Sequence, residues 1–118
     1  MIRQEVDLKC FTDEEAEYLL GNSLGRIATV SNDLEPHVVP IAYEFDGTYI
    51  YFSGYNLRRS LKFRQLAMNN KVAFIVDDVA PTRRQHRGIE IRGTAQPMEE
   101  DLNLYVRITP YHTASWGL

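Results

Sequence analysis

Asp46-Gly47 stands between two runs of strand-forming residues, PHVVPIAYEF and TYIYFS. Such a pair between apolar runs is a strong sign of a tight β-hairpin, whose turns need positive φ. A second pair of runs, LGRIATVS and PHVVPIAYEF, flanks the polar turn NDLE. Strands that follow one another through short turns pair antiparallel, because a parallel pair needs a crossover of a dozen residues or more. KVAFIVDD is a continuous apolar run, the pattern of a strand covered on both faces. In GIEIRGTAQP, Ile89 and Ile91 alternate with Glu90 and Arg92, as in a strand with one buried face. MEEDLN reads as a polar link. LYVRITPYHTASWGL reads as one or two closing strands interrupted at Pro110.

Two short helices complete the pattern. FTDEEAEYLLGN carries Thr12 as a cap and Glu15 three residues on, a capping box, with Gly21 as the stop. The second helix is expected from about Leu57 to Met68 and ends at Asn69-Asn70. Six or seven strands joined by hairpins, with two short helices, predict an antiparallel barrel over a doubly wound sheet.

A chain of 118 residues suits one domain, here 1–118. It can bury a core, and would bury more as a dimer. No apolar run reaches the roughly 18–20 residues of a membrane span. The first twenty residues lack the basic–apolar–small order of a signal peptide. Cys10 stands alone and can form no internal disulfide. A reduced, cytoplasmic setting is expected. The net charge of −3 disfavours whole-molecule attraction to nucleic acid, so an anionic partner needs a local patch.

Such a patch is present. GYNLRRSLKFRQL places Arg58, Arg59, Lys62 and Arg64 at the start of the second expected helix, and no Asp or Glu occurs from Gly47 to Val76. Cations sit at the unfavourable end of a helix dipole there. A phosphate would reverse the sign of that arrangement, since a helix start also offers free N–H groups. Ser53, Ser60, Arg59 and Lys62 could add side-chain donors; the alternative is a solvated basic helix face. No Walker pattern accompanies them.

Other clusters are weaker. RRQHR, with Arg83, Arg84, His86 and Arg87, could hold a polyanionic tail, although a solvated loop is the better reading. His37, His86 and His112 lack metal-site spacing, and no nucleophile elbow is visible. Tyr43, Tyr49 and Tyr51 alternate in a way that could line a ring-binding cleft. Trp116 is a core plug or a dimer anchor.

Taken in order, LGRIATVSNDLEPHVVPIAYEFDGTYIYFSG, RRSLKFRQLAMNNKVAFIVDDV, RGIEIRGTAQ and RITPYHTASWGL resemble the pyridoxamine 5′-phosphate oxidase-like split barrels, from Phe11 to Leu118. Within them, the DDVA…RGIEIRG block and the RITP…SWGL ending look most like the branch that uses the deazaflavin coenzyme F-420 in place of FMN. The resemblance implies a mainly β fold: a six-stranded antiparallel split β-barrel with two short helices. It implies a homodimer with cofactor sites between the subunits. It places the phosphate on Lys62, Arg59, Arg58, Ser53 and Ser60, and the ring wall on His37, Val38, Val39 and Pro40, within a stretch running to Ala42. It implies an oxidoreductase that passes a hydride to a small organic substrate, with no nucleic acid, membrane or metal partner. The alternatives are an FMN-dependent oxidase or reductase, and a non-enzymatic flavin- or haem-binding protein. The vitamin oxidases carry Arg at the start of the ring stretch and Lys at its end; this chain has neither. Ser60 replaces a basic residue, and their C-terminal substrate segment is not expected in a chain ending at Leu118. Pyridoxamine phosphate oxidation is therefore not expected. No side chain is singled out as a catalytic acid or base.

Overall fold

The computed structural model describes residues 10–53, 69–82 and 85–118. Helix α1 (Asp13–Leu20) opens as its sequence dictates. The Thr12 hydroxyl accepts from the Glu15 N–H at 3.1 Å, and the Glu15 carboxylate accepts from the Thr12 N–H at 3.0 Å. The remaining Glu15 oxygen accepts from Ser115 Oγ at 2.7 Å, so the cap also pins the helix to the last strand. That bond makes the burial of a carboxylate tolerable. The second expected helix lies outside the described residues.

The strands are β1 (Leu24–Val30), β2 (Pro36–Ala42), β3 (Glu44–Phe45), β4 (Ile50–Phe52), β5 (Lys71–Val79), β6 (His86–Glu100) and β7 (Asn103–Trp116). They form one antiparallel sheet in the order β2-β1-β5-β6-β7-β4-β3, curled into the half-barrel of a split-barrel fold. PHVVPIAYEF breaks at Tyr43 into β2 and β3, so the two pieces occupy opposite edges of the sheet. Counted as one bent strand, they give the six strands of the expected barrel.

Four local readings change. KVAFIVDD is covered on one face only: Val72, Phe74 and Val76 are buried, while Ala73, Ile75 and Asp77 are half-buried. The link MEEDLN is mostly strand. Asp101 and Leu102 make a two-residue turn with φ of 51° and 70°, between the paired Glu100 and Asn103. Pro110 does not interrupt β7. It lies opposite Gly93, where the register shifts between Arg92 and Gly93, so the missing N–H falls at an irregularity in the ladder. A side chain on Gly93 would meet the Thr109 carbonyl oxygen at 2.4 Å. The first hairpin is also shifted by a residue. The pair Phe45↔Ile50 places Gly47 and Thr48 at its centre, and Asp46 Oδ1 accepts from both Thr48 and Tyr49 N–H groups.

Period-two alternation sends Ile27, Ile41, Phe74, Ile89, Ile91 and Ile108 to one face, all at most 6% exposed. Phe74 packs edge-on to Tyr43, ring centroids 5.2 Å apart, in a space that Gly25 leaves open. Burying such a side chain contributes on the order of 1.5–3 kcal/mol.

A polar clamp joins the helix to the sheet. Asp78 accepts from Arg87 Nε at 2.7 Å and from its terminal nitrogen at 3.0 Å, and from the Tyr18 hydroxyl at 2.7 Å. The Arg87 hydrogen bonds, then that of Tyr18, hold the Asp78 carboxyl down at about 2. A depressed carboxyl stabilises the fold above its ordinary value of 3.8, and that contribution is lost as pH falls through about 2. Asp78→Asn should therefore lower the melting temperature near neutral pH. The gap from wild type should close as pH falls from about 4 to 2, and a gap of constant size would remove the clamp's charge from the account.

Candidate functional site

A cavity of about 570 Å³ lies on the outward side of the sheet, where β2 bends into β3 and meets the end of β4. Ser23, Ala42, Glu44, Tyr51, Ser53 and Tyr105 line it, together with the core residues Tyr43 and Phe52. The register follows from local pairing. Tyr51 pairs with Arg107 and Phe52 with Val106, so the next step sets Ser53 beside Tyr105. Alternation points Tyr51 and Ser53 outward while Ile50 and Phe52 enter the core. The volume falls within the roughly 300–1,000 Å³ of small-molecule sites.

The tyrosines are held in place. Tyr51 donates to Asp46 Oδ2 at 2.9 Å. Its ring lies 6.0 Å from that of Tyr105 and 6.2 Å from that of Tyr49. The Arg107 guanidinium sits 4.5 Å from the Tyr49 ring centre and donates to Gln96 at 3.1 Å. Burial pushes the Asp46 carboxyl up, but hydrogen bonds from the Tyr49 and Thr48 N–H groups and the Tyr51 hydroxyl outweigh it, and the net shift is downward. Asp46 is thus a fixed anion at the far end of this row.

The expected site residues fall into three groups. Ser53 lines the cavity. Lys62, Arg59, Arg58 and Ser60 lie outside the described residues, as do Arg83 and Arg84. The ring-wall residues are divided by the alternation of β2. Val38 and Pro40 are exposed on the outward face with Ala42, whereas His37 and Val39 share the inward parity of the buried Ile41. A ring lying on the outward face would therefore meet the side chains of Val38 and Pro40 and only the backbone of His37 and Val39. Tyr43 also lines the cavity, from its core side. Its ring is in the core and its hydroxyl donates to the Leu19 carbonyl at 2.7 Å; burial pushes that hydroxyl up to about 12. Arg87 is taken by Asp78, and His86 lies 3.2 Å from Asp77, which also accepts from Arg26 at 2.9 Å. Sequence reasoning missed Tyr105 and Glu44. Their position follows from the pairing of β7 and β3 with β4, which no local signal discloses.

A smaller cavity of about 280 Å³ lies on the outward face of β1, β2, β5 and β6. Ala28, Val38, Ala73 and Ile75 give it an apolar floor, with Arg26 and Glu90 among its other walls. Trp116 lines it rather than plugging the core, and the indole Nε1 is buried without a hydrogen-bond partner. Among the described residues no group of three or more His, Cys, Asp or Glu could hold a metal ion, and no helix is long and apolar enough to cross a membrane.

The family model described as pyridoxamine 5′-phosphate oxidase matches residues 11–114. A curated relative, the 5a,11a-dehydrotetracycline/5a,11a-dehydrooxytetracycline reductase of Streptomyces rimosus, is 40% identical over 121 residues, covering 92% of this chain and 84% of the relative. Among solved structures, an FAD-binding protein of Mycobacterium smegmatis superposes with a TM-score of 0.73 at 24% identity, covering 89% of this chain and 92% of that one. An F-420 reductase superposes with a TM-score of 0.66 at 22% identity, covering 83% and 94%. At these identities the two structures speak for the fold alone.

Proposed function

Since the chain belongs to the pyridoxamine 5′-phosphate oxidase family of flavin-binding oxidoreductases, we propose that it is a cytoplasmic reductase that uses the deazaflavin coenzyme F-420 on an unsaturated small organic substrate. The observation that carries this reading is the 40% identity to a reductase across 92% of the chain. The cavity fits such a group: it joins Ser53, where a phosphate is expected, to Ala42, the last residue of β2. Lys62, Arg58 and Arg59, with Ser53 and Ser60, would hold the phosphate. Val38 and Pro40 would flank the ring. When bound, the reduced coenzyme supplies a hydride. The protein's own part is to orient the ring against β2 and to keep water from that face.

The proposed protein is a homodimer whose second copy covers the outward face. Two features support this. Val38 is 62% exposed on an apolar floor, and Arg26 and Glu90 give the patch both signs of charge. An interface of this kind would bury the floor.

One preparation tests both parts. Coenzyme F-420 and FMN are titrated separately into apo-protein, and the mass is read by sedimentation. The expected result is a dimer that binds F-420 more tightly than FMN. Tighter FMN binding with a yellow purified protein would move the assignment to an FMN enzyme. A Soret band would move it to haem binding, and a folded monomer at micromolar concentration would remove the dimer.

A further inference from the structure

At the tip of the β6–β7 hairpin, two unfavourable features fall on one residue. Leu102 is 93% exposed, and its φ of 70° lies in the left-handed region that favours glycine or asparagine. Neither feature helps the chain to fold, and Gly at this position would serve the turn better. The hairpin below the tip stands apart from the sheet. β5 leaves β6 at Thr94, and β4 leaves β7 at Val106. Among the described residues, the stretch from Gln96 to Tyr105 is therefore a two-stranded arm whose strands pair only with each other. Such a ribbon is marginal in water. A leucine held out on it gains from burial against another surface.

The chain carries a surface to match. Register sets Ala73 of β5 between Ala28 and Arg92, and Ile75 between Arg26 and Glu90. Ala28, Ala73 and Ile75 are apolar floor of the 280 Å³ cavity, which Val38 bounds on the side of the proposed ring. Arg26 and Arg92 flank this floor with side chains 54% and 56% exposed. Each gives a nitrogen to an acid of its own, Asp77 or Glu90, and a guanidinium has further N–H groups to offer. On the tip, the exposed acids Glu100 and Asp101 precede Leu102. An apolar knob with carboxylates beside it thus matches an apolar floor with guanidiniums beside it. The two cannot meet within one chain. Glu90 beside the floor and Glu100 beside the tip are ten residues apart on β6, on the order of 30 Å of extended strand. Between two copies the match is reciprocal, as a two-fold dimer requires.

We propose that the Asp101-Leu102 tip of one copy docks on the Ala28, Ala73 and Ile75 floor of a second copy, with its acids toward Arg26 and Arg92. This docking rests on the dimer reading above and adds which elements meet.

Cross-linking tests the contact, and sedimentation tests its weight. In a Cys10→Ser background, Leu102→Cys protein is mixed with Ala73→Cys protein and treated with a short bis-maleimide. The expected product is a covalent pair with one copy of each, and little product is expected from either variant alone. Separately, Leu102→Asn keeps a residue that accepts the left-handed turn and removes the apolar group. It should raise the dimer dissociation constant at least about tenfold, the lower end of what burying a leucine contributes, with the fold intact by circular dichroism. Leu102→Met, apolar and of similar volume, should dimerise like wild type. A dimer that gives no link between positions 102 and 73, or that Leu102→Asn leaves unchanged, would overturn the docking and leave the dimer standing on another face. Efficient linking of the Leu102→Cys protein to itself would do the same. A wild type that stays monomeric would remove both.

Discussion

Phe74→Ala should remove about 3–5 kcal/mol of folding stability, the usual cost of emptying a buried aromatic site. Phe74 is 1% exposed, in the middle of β5. It sits edge-on to Tyr43 and fills the space left by Gly25. The neighbours cannot collapse into the hole, because they belong to strands whose spacing is fixed by ladder hydrogen bonds. Domains of this kind have roughly 5–15 kcal/mol of stability in total, so one substitution would use up much of it. The check is a denaturant titration: the midpoint should fall sharply while the slope stays unchanged. A loss below about 1 kcal/mol would mean that this end of the core repacks freely.

Lys62→Ala should weaken cofactor binding by about one to two orders of magnitude. The acid-free stretch from Gly47 to Val76 concentrates its cations near Lys62, one helical turn from Arg58 in the expected helix. A hydrogen bond to a charged group contributes roughly 1.5–3 kcal/mol, and about 1.4 kcal/mol is tenfold in affinity. The apo-protein should not be destabilised, since the change would remove a cation from the unfavourable end of the dipole of the helix expected from sequence. Dissociation constant and apo melting temperature are measured together. Unchanged affinity with a lower melting temperature would make Lys62 a structural residue and take away the phosphate assignment.

What the sequence disclosed, and what it hid, follows from the range over which each signal acts. The capping box of α1 is complete within four residues, so Thr12 and Glu15 were legible. The strands were legible wherever alternation was clean, as at Ile89 and Ile91. The β6–β7 turn was hidden because Asp101 and Leu102 take positive φ without the glycine or asparagine that usually marks such a turn. Pro110 misled because its tolerance depends on a register shift opposite it, a property of two strands rather than one. Of the residues expected at the site, Ser53 lines the cavity. The family resemblance implied four wall residues, and alternation turns Val38 and Pro40 to the outward face of β2 and His37 and Val39 to the other. Tyr105 and Glu44 were beyond reach because they join the cavity only through pairing with β4.

The edge of the sheet carries a consequence for self-association of a different kind. Among the described residues β2 is an outermost strand, and an open edge is a template on which another chain can add a strand. Proline is tolerated on such a strand when its missing N–H faces away from the paired neighbour. Pro36 and Pro40 are four residues apart, so both fall on the same side of β2. The N–H positions of residues 36, 38, 40 and 42 share one edge of β2, and with proline at two of them only Val38 and Ala42 have a donor on that edge. The rim that would hold a cofactor ring is thereby also a poor seed for amyloid-like stacking. Pro40 has a reason to be proline whether or not a ring ever rests against it.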